Sequence, residues 1–368
     1  MQVQRVAMPT SPVSSWTVLG DDDVPVEPIE RFLGYLSDIE RSPNTVRAYA
    51  HDLKDYWMFL SHRGLDWREV RLEDIGEFVA WLRLPQAGRD GAVAVLPAVQ
   101  PRVSSTTINR KLSALVAFYQ HQVRHGVDVG ELLISWQLPG RRGGWRPFLH
   151  HIAKDRPQPR RAVALKVPRK LPRVLTVGEI QSILDGCTRL RDRLLLAVLH
   201  DSGCRIGEAL GLRHEDLAVA EREITVRPRI NDNGARSKSR HSRTIPVSAA
   251  LIRLYGDYLH GEYGELDSDY VFLNLFAEPR GQALAYPAVY DLVGRLRRRT
   301  GIDFDLHWLR HSAATRMLRD GVPIEVVSSL LGHASVTTTL SVYGHLTSED
   351  ARRALESAGW FTGTEVTW

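Results

Sequence analysis

From residue 136 to residue 173 the chain loses every apolar period and becomes rich in proline, glycine and arginine. Its basic residues there are Arg141, Arg142, Arg146, Lys154, Arg156, Arg160, Arg161, Lys166, Arg169, Lys170 and Arg173, opposed only by Asp155. Such a stretch has no apolar face to bury. The 368 residues therefore divide into two parts, each long enough to build its own core. The expected division is a loose tail over 1–24, a first domain over 25–135, the basic linker over 136–173, a second domain over 174–346, and a C-terminal helix and tail over 347–368. The tail contains Pro, Ser and the run Asp21 to Asp23 without periodicity. The linker has two readings, a solvated tether or a strap along a polyanion, where each neutralised phosphate releases counterion.

Helical spacing dominates both parts. Ile29, Phe32, Leu33 and Leu36 form one stripe. Ser42-Pro43 supplies an N-cap and a proline in the first turn ahead of Val46, Tyr49, Leu53, Trp57 and Leu60. A third segment runs from about Leu72 to Leu84. After a Gly/Ala/Pro-rich loop at 86–103, Ser104 or Ser105 caps a helix carrying Ile108, Leu112, Leu115 and Phe118. The second part opens with a helix near Thr176 and an apolar helix around Leu194 to Leu199. It then switches to period two, with Ile224 and Val226, a turn at Asn233-Gly234, and a strand at Thr244 to Val247. Further helices are expected at about 248–260, 287–299, 308–320, 323–331 and 348–358, with Gly301 and Gly332 as stops. The fold class is mainly α: an N-terminal helical bundle, then a mostly helical domain with a small antiparallel sheet.

Several function classes drop out. The only cysteines, Cys187 and Cys204, have no metal or redox spacing, which fits a reduced cytoplasm without disulfides. No charged and apolar leader opens the chain, and the longest apolar run, LLLAVL at 194–199, cannot cross a bilayer. A soluble cytoplasmic protein without a membrane partner is the expectation. No glycine is followed by lysine, so there is no P-loop, and no carboxylate cluster is placed to hold two magnesium ions. Neither metal nor cofactor is expected. A formal net charge of +5, concentrated in the linker, favours a polyanionic partner.

The chemistry sits in four fragments: DSGCRIGEALGL around Arg205, SKSRHSRTIPVS around Lys238, HWLRH at 307–311 with His307 and Arg310, and LLGHASVTTTLSVYGH with His333 and Tyr343. In this order they resemble the tyrosine recombinase (phage integrase) family, over roughly residues 25–345 and more weakly before 175. The resemblance implies a core-binding SAM-like helical bundle and a catalytic domain with double-stranded DNA between them. It implies metal-free cleavage in which a tyrosine attacks the scissile phosphate to give a 3′-phosphotyrosyl bond and a free 5′-hydroxyl. Two such rounds pass through a Holliday junction, with a tetramer acting on two duplexes and accessory DNA-bending or directionality proteins as further partners.

The residue chemistry suits those roles. Arg205 and Arg310 offer permanently charged planar forks for phosphate, with Glu208 one turn beyond Arg205 able to hold its guanidinium. Lys238 is the last lysine of a chain that otherwise uses arginine after Lys170. An ammonium can release a proton where a guanidinium effectively cannot, so the general acid falls to it. The resemblance implies that His307 is a proton acceptor or phosphate donor and His333 a second phosphate donor, with His311 a supporting residue. Zinc at the His307/His311 pair is disfavoured because HWLRH lacks the glutamate of a metalloprotease helix. The resemblance makes Tyr343, the last tyrosine, the expected nucleophile, its phenolate favoured by cationic neighbours. Thr45, Arg47, Asn109, Arg110 and Lys111 near helix starts, with Arg160 and Arg161 in the strap, are the expected DNA contacts. Ala351, Leu355 and Ala358 form a terminal stripe that packs at home or on a neighbouring protomer. Two rivals stand beside this reading: a type IB topoisomerase, which religates the same strand, and a non-catalytic DNA-binding regulator of the same fold.

Overall fold

The structure is a computed structural model. It describes residues 1–6, 15–84, 102–127, 134–137, 158–167, 173–333 without 238 and 240, and 335–339 without 338. Lys238, Tyr343 and the whole expected C-terminal helix at 348–358 lie outside the described residues. The chain separates into two compact units, Met1–Arg169 and Lys170–Trp368.

In the first unit, α1 (Glu27–Asp38), α2 (Pro43–Arg63), α3 (Leu72–Arg83) and α4 (Ser105–Val123) bury their apolar stripes in one core. Each start has a local cause. Pro43 fills the first turn of α2, the Ser104 hydroxyl accepts the Thr107 amide at 3.2 Å at the head of α4, and the Asp74 carboxylate accepts the Arg71 amide at 2.7 Å at the head of α3. Gly64 ends α2 at φ +63, the left-handed conformation that glycine adopts without a Cβ penalty. Aromatic rings fill the centre, and the Tyr56 and Tyr119 hydroxyls, both buried, satisfy each other at 2.7 Å.

Two sequence expectations are corrected in this unit. Residues before 25 include ordered structure: β1 (Gln2–Val6) pairs antiparallel with β2 (Ser15–Leu19), from Gln2 opposite Leu19 to Val6 opposite Ser15. Their stability comes from β2 packing on α1 and α2, where Ser15, Thr17, Val18 and Leu19 are buried. A five-residue strand drawing on distant helices leaves no periodic signal of its own. Nor is the 136–173 stretch wholly without structure. β3 (Ile134–Gln137) pairs antiparallel with β4 (Gln158–Arg161), whose last two positions are Arg160 and Arg161. Beyond them Val163 and Leu165 pack against the core of the first unit.

The second unit opens on α5 (Val177–Asp185), capped reciprocally by Thr176 and Glu179. It continues with α6 (Leu190–Ser202), whose Leu194, Leu195, Leu196, Val198 and Leu199 are all buried. A short α7 (Ile206–Ala209) follows. The expected sheet is present as β5 (Leu217–Ala218), β6 (Glu223–Val226) and β7 (Arg243–Pro246), antiparallel in that order, with Ile224 opposite Ile245. Then come α8 (Ala249–Tyr258), α9 (Tyr286–Thr300), α10 (Leu306–Arg319) and α11 (Ile324–Leu331). Gly301 and Gly332 end α9 and α11 at φ +70 and +62, as their positions predict.

Candidate active site

The backbone around Arg205 is set by what precedes it. Gly203 terminates α6 in the left-handed conformation, and the chain turns so that Arg205 becomes the N-cap of α7. Glu208, three residues on, closes that turn, its carboxylate accepting the Arg205 amide at 2.8 Å and Arg205 Nη1 at 3.0 Å. Gly207 has no room for a Cβ, because the Tyr286 hydroxyl and the Arg236 carbonyl fill that place. The sheet connection therefore lies directly against α7.

Three guanidiniums converge on the C-terminal end of α11. Arg205 donates to the carbonyls of Leu331 and Gly332 at 3.4 and 3.3 Å. Arg310 donates through Nη1 to the Gly203 carbonyl and through Nη2 to the Leu331 carbonyl, both at 2.7 Å. Arg243 donates through Nε to the Leu330 carbonyl at 2.7 Å and through Nη2 to Glu208 at 2.7 Å. The last carbonyls of a helix have no intrahelical donor and carry partial negative charge, so cations are stable there. Arg310 is 2% exposed. The fork expected for phosphate is thus buried, and its two terminal nitrogens fasten the turn after α6 to the end of α11.

The histidines line the same place. The Asp305 carboxylate caps α10 by accepting the His307 amide at 2.8 Å, which presents His307, exposed, on the first turn. His311 lies one turn on, its ring 4.3 Å from that of His307 and nearly perpendicular. His333 follows the Gly332 stop, and its Nδ1 pairs with the hydroxyl of buried Thr339 at 2.8 Å. Burial and the charges of Arg310, Arg205, Arg243 and His307 push His333 down to about 4. Burial, then His307, Arg310 and His333, push His311 down to about 4 as well. Both rings are neutral at neutral pH. Glu208, its side chain fully buried, is pushed up by burial, but the Arg243 guanidinium and the Arg205 amide and charge outweigh this and hold it below the usual carboxylate range.

Arg205, His307, Arg310, His311, His333 and Glu208 are thus brought together from α7, α10 and α11. Sequence reading missed Arg243 as a member of this cluster. Its only signal was an arginine opening an otherwise uncharged strand, RTIP. Among the described residues no group of three or more His, Cys, Asp or Glu side chains is placed to hold a metal.

The first-unit residues expected on DNA divide. Thr45 lies half-buried in the first turn of α2, and Arg47 is exposed with its guanidinium 4.9 Å from the centre of the Trp16 ring. Asn109 exchanges two hydrogen bonds with the backbone of Leu165, both at 2.9 Å, and so clips that segment to α4. Lys111 is corrected: it is 6% exposed, and its ammonium bonds Asp52 at 3.0 Å and Asp55 at 2.8 Å. Arg110, half-exposed, pairs with the same Asp52, whose side chain is fully buried. An ammonium held by two carboxylates inside the bundle supports α4 against α2 and does not face a phosphate.

The sequence profile of the phage integrase family matches residues 173–350, and that of the phage integrase N-terminal SAM-like domain matches residues 29–126. Transposase A from transposon Tn554 of Staphylococcus aureus is 38% identical over 354 residues, covering 96% of this chain and 96% of that protein. Tyrosine recombinase XerD of Mycobacterium leprae is 31% identical over 353 residues, covering 90% of this chain and 96% of that protein. Among solved structures, the Tn1549 transposon integrase in complex with a circular intermediate DNA shares the fold with a TM-score of 0.57 at 18% identity, over 90% of this chain and 99% of that one. The XerH site-specific recombinase bound to its difH substrate does so with a TM-score of 0.58 at 19% identity, over 94% and 90%. No helix among the described residues is long and apolar enough to cross a membrane.

Proposed function

This chain belongs to the phage integrase family and is a tyrosine-type site-specific recombinase acting by DNA strand transesterification, and from that premise we propose how its own residues divide the reaction. The Tyr343 phenolate forms the bond to phosphorus as the bond to the 5′-oxygen breaks, leaving a 3′-phosphotyrosyl link. Lys238 delivers the proton to the departing 5′-oxygen. Arg205 and neutral His333 bind the nonbridging oxygens, Arg310 supplies permanent charge beneath them, and His307 accepts the phenol proton or donates to the phosphate. When the Thr339 hydroxyl donates to Nδ1 of His333, Nε2 carries the proton and becomes the donor toward phosphate. The 5′-hydroxyl of a partner strand then attacks the phosphotyrosyl link, and the energy of the first bond is kept throughout.

The observation that carries this reading is the convergence of Arg205, Arg243 and Arg310 on the carbonyl end of α11, where His333 follows directly and His307 and His311 lie close by. Guanidinium forks and neutral imidazole donors gathered at one place suit the oxygens of a phosphate. Four protomers on two duplexes, passing through a Holliday junction and helped by accessory DNA-bending or directionality proteins, complete the reading. The 38% identity to a transposase over 96% of the chain favours a mobile element as the substrate. A topoisomerase or a non-catalytic regulator is not favoured by these relatives. The decisive test is Tyr343→Phe on a nicked suicide substrate. The variant is expected to bind DNA normally and form no covalent adduct; adduct formation by the variant would remove Tyr343 from the role.

A further inference from the structure

Arg243 opens β7, five positions after Lys238 in the chain. Its side chain is 9% exposed, so it is closed off from a duplex lying on the surface. Inside, it meets two segments at once. Nη2 and Nη1 reach the two oxygens of Glu208 at 2.7 and 3.3 Å, and Nε reaches the Leu330 carbonyl at 2.7 Å. The guanidinium also lies flat against the turn before His333. A Cβ at Gly332 would come within 2.8 Å of Nη1 and 2.9 Å of Cζ, so the arginine occupies the space that a side chain at 332 would need. On its other side, Glu208 grips Arg205 by both amide and guanidinium, and the Ser237 hydroxyl, next to Lys238 in sequence, reaches the same carboxylate at 3.4 Å.

One planar group therefore ties the turn of Arg205 to the turn of His333. A rigid planar fork suits this task, since it grips both oxygens of the carboxylate and the Leu330 carbonyl in one fixed plane, whereas an ammonium is a compact charge on a flexible stem. We propose that Arg243 is a positioning residue of the strand-transfer centre: it sets the separation of Arg205 and His333 so that both meet one phosphate, without touching the phosphate itself. The proposal rests on the reading of Arg205 and His333 as phosphate ligands. A misplacement of about 1 Å at such a pair costs roughly 100-fold in rate.

The test is single-turnover cleavage of a nicked suicide substrate by the full-length protein in excess, with DNA affinity by gel shift and thermal melting in parallel. Arg243→Gln is expected to keep DNA affinity within about threefold while the bound complex cleaves roughly 100-fold more slowly, and Arg243→Lys to recover part of that loss. A substrate with sulfur at the 5′-bridging position needs no proton on its leaving group. It should rescue Lys238→Ala and leave Arg243→Gln slow. Cleavage by Arg243→Gln within threefold of wild type overturns the proposal, as does rescue by the sulfur substrate. Affinity, melting temperature and rate falling together in both arginine variants would reduce Arg243 to a folding residue and overturn it too. Wild-type protein that forms no adduct, or Tyr343→Phe protein that does, overturns instead the reading of the site on which this proposal stands.

Discussion

Each unit of this chain builds a cluster of two cations around a fully buried carboxylate, and the two carboxylates are shifted in opposite directions. In the first unit Asp52 receives Arg110 and Lys111, and Asp55 joins from one turn along α2. Asp55 also pairs with Lys54 at 3.9 Å, so two carboxylates there meet three cations. In the second unit Glu208 receives Arg205 and Arg243, and Arg310 shares the Leu331 carbonyl with Arg205. The difference lies in whether the cations outweigh burial. Burial pushes Asp52 up, and Lys111 and Arg110 recover only part of that shift, whereas for Glu208 the arginines outweigh burial and hold it low. The first cluster fastens α4 to α2, whereas the second fastens the turn of Arg205 to β7 and to the end of α11.

The comparison can be broken most forcefully at Lys111. Removing one partner of a buried ion pair leaves an uncompensated charge, so Lys111→Met should destabilise the protein by about 3 to 5 kcal/mol in denaturant unfolding. The slope of log DNA affinity against log salt, measured where the variant stays folded, should not change. A flattened slope would return Lys111 to the DNA surface and dissolve the distinction between the clusters.

Arg205→Ala is the matching change in the second unit and should do the reverse. Loss of a preorganised phosphate donor costs about 3 to 4 kcal/mol of transition-state stabilisation, read as a fall of roughly 10² to 10³ in single-turnover cleavage. The side chain is 23% exposed and Glu208 keeps Arg243, so unfolding should shift much less than for Lys111→Met. Comparable losses of stability in both variants would show that the second cluster is as structural as the first.

A smaller and sharper effect is expected with acid. His311 and His333 are lowered to about 4 in the folded protein from an ordinary 6.5. The unfolded chain therefore binds protons first, and the contribution of these neutral rings to stability is fully present above about 6.5 and is lost as pH falls toward 4. Both rings are partly exposed, so the effect should weaken with salt. A bound phosphate favours the protonated rings, so DNA affinity should rise as pH falls through the same window. Melting curves and gel shifts of wild type against His333→Gln across this range check both slopes. Identical profiles would mean that the histidines do not sense the arginines of the cluster.

Much of this protein was legible without coordinates wherever the signal is local. The stripe of Ile29, Phe32, Leu33 and Leu36, the stops at Gly301 and Gly332, and the hairpin signal at Asn233-Gly234 each follow from a few neighbouring residues, and all occur in the fold. The grouping of Arg205, His307, Arg310 and His333 was legible through family resemblance, since more than a hundred positions separate the first from the last and no periodicity joins them. Lys111 could have been placed from sequence. It stands three residues after Ile108 and four before Leu115, on the buried face of α4, and only its charge argued for the surface.

Tertiary structure alone decided the partners. That Lys111 meets Asp52 and Asp55 depends on α2 packing against α4 across more than fifty residues of chain. That β1 and β2 form a sheet depends on the helices beneath them. That three arginines share the carbonyl end of α11 depends on where α6, β7 and α10 deliver their ends. Local order follows from backbone geometry and the spacing of apolar residues, which a short window of sequence contains. The balance of a charge cluster is a sum over groups brought close by folding, and it exists only once those groups leave water together.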